Sequence, residues 1–199
     1  MNRCAILLPA AGASSRMRGG DKLLEQVAKK PVLREMVQRA LDTSTLLAVT
    51  LRPDDPARHA ALDGLPVQRI MIPDAPEGMA ASLRAGALWA ASTEATALMI
   101  VLPDMPGITV EDLHSMIAAH ALTPDTPLRA SSADGTPGHP VILPRTFWGR
   151  MAHLRGDEGA RQLFATHPPV LHRLEDARAT QDLDTPEAWA DWRSENPEA

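Results

Sequence analysis

Short apolar runs alternate along this chain with longer stretches in which apolar residues recur every three or four positions. Residues 4–8, Cys4-Ala5-Ile6-Leu7-Leu8, form the first run. It is continuous rather than alternating and is bounded by Pro9, as suits a strand covered on both faces. In residues 31–41 the apolar positions are Val32, Leu33, Met36, Val37, Ala40 and Leu41. That spacing predicts a helix, with Pro31 suited to its first turn. Runs at 46–51, 67–72 and 97–102 predict further strands, and 56–62, 78–91 and 110–121 predict helices between and after them. A strand–helix repeat of this kind predicts an α/β class with a mainly parallel central sheet and right-handed crossovers.

Beyond residue 124 the rhythm changes. Short strands at 128–131 and 140–143 flank the turn-rich Ala133-Asp134-Gly135-Thr136-Pro137-Gly138. Helices at 146–154 and 158–166, a strand at 170–174 and a helix at 186–192 follow, and the tail past Glu195 should fray.

The chain's 199 residues suit one sizeable core, so a single domain, 1–199, is expected. Apolar residues at 44% and charged residues at 23% are ordinary for a soluble globular protein. The formal net charge of −5 argues against a nucleic-acid partner, which a basic stripe would normally attract. Cys4 is the sole cysteine, which excludes an internal disulfide and a cysteine-rich zinc site and fits a reducing compartment. The first apolar run is too short for a signal peptide, and no run approaches the roughly 20 residues of a membrane span. The expectation is a cytoplasmic protein without a membrane partner.

In an open parallel sheet, ligands gather beyond the carboxyl ends of the strands. The first strand is followed by Pro9-Ala10-Ala11-Gly12-Ala13-Ser14-Ser15-Arg16-Met17-Arg18-Gly19-Gly20-Asp21-Lys22. Gly12 lets backbone N–H groups approach an anion, and Ser14 and Ser15 add hydroxyls. Arg16 offers a planar fork for phosphate oxygens and Lys22 a compact charge. The loop suits a triphosphate, although neither the Walker nor the dinucleotide glycine spacing is present. The fourth strand is followed by Pro103-Asp104-Met105-Pro106. A carboxylate stiffened between prolines suits magnesium, which takes one or two carboxylates plus substrate phosphates. It also suits a turn or a helix cap. Asp182 and Asp184 alternate and share one face if the segment is extended. Thr185 and Asp184 compete to cap the last helix, which leaves at least one acid for the metal.

Taken together these pieces resemble the molybdenum-cofactor nucleotidyltransferase family, the molybdopterin cytidylyltransferases in particular. The resemblance spans nearly the whole chain in six ordered pieces. They are Ala10 to Met17 with Lys22, Gly78-Met79-Ala80-Ala81-Ser82-Leu83-Arg84-Ala85-Gly86, Asp104-Met105-Pro106, Gly138-His139-Pro140, Gly156 to Arg161, and Asp182-Leu183-Asp184-Thr185-Pro186. It implies a Rossmann-like nucleotidyltransferase fold. Ala10, Ala11 and Gly12 would lie near the base and sugar, and Arg16 and Lys22 would hold the triphosphate. Asp104 would bind magnesium, with Asp182 or Asp184 beside it. Gly78 and Ser82 would open a helix toward the nucleotide, and Gly138, His139, Pro140 and Arg161 would serve the acceptor. Arg18 departs from the family's spacing by lengthening the loop before Lys22. Guanylyl-transferring relatives tend to carry glycine where this chain has Ala11, so its methyl favours CTP over GTP. The expected reaction is transfer of CMP to the terminal phosphate of molybdopterin with release of pyrophosphate. Guanylyl transfer, a sugar-phosphate acceptor and a non-catalytic nucleotide-binding protein are the alternatives.

Overall fold

A computed structural model describes residues 3–156 and 163–197. In chain order the elements are β1 (Cys4–Pro9), β2 (Gln26–Val27), β3 (Lys30–Pro31), α1 (Val32–Thr43), β4 (Leu47–Leu51), α2 (Pro56–Ala61) and β5 (Gln68–Met71). They continue with α3 (Met79–Ala91), β6 (Ala97–Ile100), α4 (Val110–Leu122), β7 (Leu128–Ser131), β8 (Pro137–Pro144), α5 (Trp148–Met151), β9 (Val170–Arg173) and α6 (Pro186–Glu195).

Seven strands form one sheet in the order β5-β4-β1-β6-β8-β7-β9. The strands β5, β4, β1 and β6 are mutually parallel, and β8 is antiparallel to both β6 and β7. The chain therefore winds outward from β1 in one direction and then returns to continue from β1 in the other. The loops leaving β1 and β6 part at this reversal, and a crevice opens between them.

Period-two alternation divides β1 between two cores. Cys4, Ile6 and Leu8 enter the layer that holds Val32, Leu33, Met36 and Val37 of α1 with Leu113 and Met116 of α4. Ala5 and Leu7 enter the opposite layer, with Ala80, Leu83 and Ala87 of α3 and Trp148 and Met151 of α5. Both faces are dry, which is why the run carries no polar residue. Trp189 and Trp192 of α6 close the first layer edge-to-face, with ring centroids 6.1 Å apart. Burial pushes the Cys4 thiol up to about 12, the pattern of an inert core residue.

At Gly86 α3 packs directly on β1: a methyl group there would overlap the Leu7 side chain. Gly86→Ala is expected to destabilise the domain by about 1–3 kcal/mol, the usual result of overpacking, read as a lower thermal midpoint. An unchanged midpoint would show that this contact relaxes freely.

Element types follow the sequence pattern, with three differences. The strand expected at 140–143 extends over Pro137–Pro144. The helix expected at 146–154 contracts to a 3-10 turn, Arg145–Phe147, and the four residues of α5. The small β2–β3 hairpin had no turn signal: its corner residues Ala28 (φ 49°) and Lys29 (φ 63°) take the left-handed conformation that glycine or asparagine would normally mark. Most of the helix expected at 158–166 lies outside the described residues. Among the described residues no helix is long and apolar enough to cross a membrane.

Candidate active site

The β1 loop, residues 10–22, is anchored by two buried side chains, Met17 and Leu23, set in short 3-10 turns. Asp21 caps the second turn, its carboxylate accepting from the Leu23 N–H at 3.0 Å. Arg18 (φ 52°) and Gly19 (φ 98°) both adopt left-handed conformations between these turns. The additional residue is absorbed there, and Arg18 swings outward to pair with Glu187 at 2.7 Å. Lys22 keeps its place in the site.

Asp104 follows β6 on a turn stiffened by Pro103 and Pro106. Its backbone carbonyl accepts from the Leu183 N–H at 2.9 Å, and this bond brings residues 182–184 to the β6 loop. Thr185 caps α6, accepting from the Ala188 N–H at 3.2 Å, with Pro186 in the first turn. Thr109 caps α4 in a reciprocal box with Asp112. Asp104, Asp182 and Asp184 are thus all released from capping.

The Lys22 ammonium donates to Asp104 and also to Asp184 Oδ1 at 2.5 Å. Arg16 reaches the other oxygen of Asp184 at 2.6 Å while its own side chain remains largely exposed. Burial works to lower the Lys22 pKa, but the charge and hydrogen bond of Asp104, with those of Asp184, raise it above the usual lysine range. Burial likewise works to raise the Asp184 carboxyl, yet Lys22 and Arg16 hold it below the ordinary range. No ion pair to Asp182 is formed among the described residues: burial and the neighbouring charges of Asp184 and Asp104 raise it. Among the described residues three carboxylates thus meet two cations, leaving room for additional positive charge.

Hard oxygen donors of this kind fit magnesium. Among the described residues no cluster of three or more ligand side chains is arranged to hold an ion unaided. A magnesium ion bound with a phosphorylated ligand would not require one, because phosphate oxygens and water can complete its shell.

These groups line a cavity of about 580 Å³. Gly12, Ser14 and Ser15 form one wall, Gly78 and Ser82 another, and Asp104, Asp182 and Asp184 the polar end. Gly78 sits at the N-cap of α3 with φ 111°, a conformation that L side chains rarely adopt. The amino end of α3 therefore meets the cavity, a setting that favours anions. Ala11 also lines it, its methyl packed in a small cluster with Ile72 and Ala81. Ala10 is fully buried one position behind.

The acceptor motif is placed differently. Gly138, His139 and Pro140 lie in β8 and do not line this cavity. A side chain at Gly138 would collide with the backbone at Ala179, and the His139 N–H donates to the Ala179 carbonyl at 2.7 Å. The motif therefore supports the segment leading to Asp182. Burial, and after it the charge of Arg129, pushes the His139 imidazole down to about 4, so it is neutral at physiological pH. Its Nδ1 is enclosed without a hydrogen-bond partner among the described residues. Arg161 lies outside the described residues.

One residue at this site escaped the sequence reading. Arg58 of α2, only 2% exposed, reaches beneath the β1 loop. Its only signal was an arginine on the inward face of a short helix.

The fold and the site together define a doubly wound α/β protein with a nucleotide-sized, cation-and-carboxylate cavity at its topological switch point. Residues 5–172 match the MobA-like NTP transferase domain, and the chain belongs to that family. It is 36% identical over 141 residues to a molybdenum cofactor guanylyltransferase of Bradyrhizobium sp. (strain ORS 278), covering 68% of this chain and 63% of the relative. It is 30% identical over 119 residues to the purine catabolism protein PucB of Bacillus subtilis (strain 168), covering 58% and 56%. The chain thus spans less than two thirds of the length of these relatives. Among solved structures, Rv0371c from Mycobacterium tuberculosis H37Rv superposes with a TM-score of 0.82 at 25% identity, over 97% of this chain and 98% of that one.

Proposed function

We propose that the chain transfers a nucleoside monophosphate from a nucleoside triphosphate to the terminal phosphate of a molybdopterin-class acceptor, releasing pyrophosphate. The observation that carries this reading is Lys22, shared between Asp104 and Asp184 beside a cavity walled by the β1 loop. Family membership supports it, although a fold alone does not fix a substrate.

In the proposed reaction an acceptor phosphate oxygen forms a bond to the α-phosphorus as the bond to the pyrophosphate oxygen breaks. The nucleophile is already anionic near neutral pH, so no side chain need remove a proton. The difficulty is bringing several negative charges together, and the protein's task is positioning and charge neutralisation. Magnesium, held by Asp104 with Asp182 or Asp184, would screen the phosphates. Lys22 and Arg16 would turn from the carboxylates toward the triphosphate and offset charge growing on the leaving pyrophosphate. The amino end of α3, with Gly78 and Ser82, would hold a further anionic group.

Two observations bear on the base. Ala11 lines the cavity where guanylyl-transferring relatives tend to carry glycine, and we read that difference as favouring the smaller pyrimidine, hence CTP, by at most the roughly 1–3 kcal/mol that one methyl group is worth. The Bradyrhizobium relative is named a guanylyltransferase, which favours GTP. The deciding experiment offers CTP, GTP, ATP and UTP separately, with magnesium and molybdenum-loaded molybdopterin, and follows pyrophosphate. Release with CTP alone supports the reading from Ala11. Release with GTP alone keeps the reaction and removes that reading. Release with none, from folded protein and verified acceptor, points to another acceptor or to a binding role.

A further inference from the structure

We infer that Arg58 is a positioning residue for the nucleotide: from beneath the β1 loop it aims backbone N–H groups at the cavity and fixes the root of Lys22. This inference rests on the nucleotidyl-transfer reading for its functional consequence, but its structural half stands on this chain alone.

A guanidinium has five N–H donors, and here each is engaged on the loop. Nε and one terminal nitrogen donate to the two oxygens of Asp21, both at 2.7 Å, in a bidentate fork. That terminal nitrogen also donates to Ser14 Oγ at 2.9 Å. The other terminal nitrogen donates to the carbonyls of Ala10 and Gly12, both at 2.7 Å. Asp55, the cap of α2, adds a second carboxylate 3.2 Å from Nε. Two carboxylates thus compensate a buried charge that would otherwise be costly to enclose. With its donors committed, Arg58 is not a phosphate ligand.

The consequence follows from peptide geometry. In a trans peptide the C=O of one residue and the N–H of the next point in opposite directions. Turning the Ala10 and Gly12 carbonyls toward Arg58 turns the Ala11 and Ala13 N–H groups away from it. Ala11, Gly12 and Ala13 line the cavity. Asp21, at the far end of the same arginine, immediately precedes Lys22. A single side chain thus ties the start of the loop to its end, across 12 residues from Ala10 to Asp21. Ser14, held in a left-handed conformation (φ 51°), closes the same network by donating to Asp21 Oδ1 at 3.0 Å.

Two variants and two measurements test this. Arg58→Lys keeps the charge and loses the planar fork. Asp21→Asn keeps the shape and removes the charged partner from a half-buried position, so it serves if the buried lysine does not fold. Hydrogen–deuterium exchange of peptides covering residues 10–22 is compared with that of β1, β4 and β6, and steady-state kinetics separate KM for the nucleotide from kcat. The expected result is exchange in 10–22 faster by about tenfold with the sheet unchanged, and a nucleotide KM raised by about tenfold or more. A merely structural loss would lower the active fraction, and so kcat, while leaving KM in place. Unchanged loop exchange in a folded variant, or an unmoved nucleotide KM, would overturn the inference. If the wild-type protein turns over no nucleotide, the transfer reading fails. The exchange comparison then still decides whether Arg58 holds the loop.

Discussion

Lys22→Ala is expected to lower turnover by about 10²–10³-fold, the usual loss when one preorganised donor to developing charge is removed. Lys22 stands between Asp104 and Asp184 and is raised in pKa, so it stays cationic throughout the physiological range. Its backbone lies in a 3-10 turn whose cap is Asp21 and whose anchor is Leu23, and neither depends on the ammonium. The fold should therefore survive. What changes is the charge balance, because Asp104, Asp182 and Asp184 then face one another with, among the described residues, the largely exposed Arg16 to offset them. The variant should melt somewhat lower than wild type in chelator and recover part of that loss in magnesium. Turnover near wild type, with circular dichroism showing a folded protein, would remove Lys22 from the chemistry.

Asp104→Asn should cost about 10²-fold or more and shift activation to higher magnesium concentration, since a neutral amide is a much poorer ligand for a hard cation. The substitution preserves shape and leaves untouched the carbonyl that accepts from Leu183, so the 182–184 segment should stay in place. That makes it a cleaner test than alanine. A magnesium titration is the decisive readout. An unchanged half-activating concentration would mean that Asp104 does not hold the metal. The same titration on Asp182→Asn and Asp184→Asn resolves which of that pair assists it.

Much of this was legible in the sequence because buried parallel strands are written as largely apolar runs: β1 and β6 carry no polar residue, and β4 carries one, Thr50. Arg16, Lys22, Asp104, Asp182 and Asp184 could be named because they follow strand ends or precede the last helix and recur in the ordered motifs of the resemblance, and the structure brings them around one cavity. Arg58 could not, since its role depends on the angle at which α2 packs under the β1 loop, which no spacing encodes. The β2–β3 hairpin was hidden because Ala28 and Lys29 take left-handed conformations their residue types do not announce, between the buried Val27 and Val32. Gly138 was named only through the resemblance, and its close approach to the Ala179 backbone, which a side chain would block, is a contact no local pattern encodes. In each case the signal was long-range contact rather than local pattern.

The most direct measurement follows a radiolabel placed in turn on the α- and γ-phosphates of the nucleotide, with magnesium and the molybdopterin acceptor. Nucleotidyl transfer requires the α-label to appear in the acceptor product and the γ-label to leave as pyrophosphate, with Lys22→Ala suppressing both. Transfer of the γ-label to the acceptor, or its release as inorganic phosphate without labelled product, would contradict the proposed reaction.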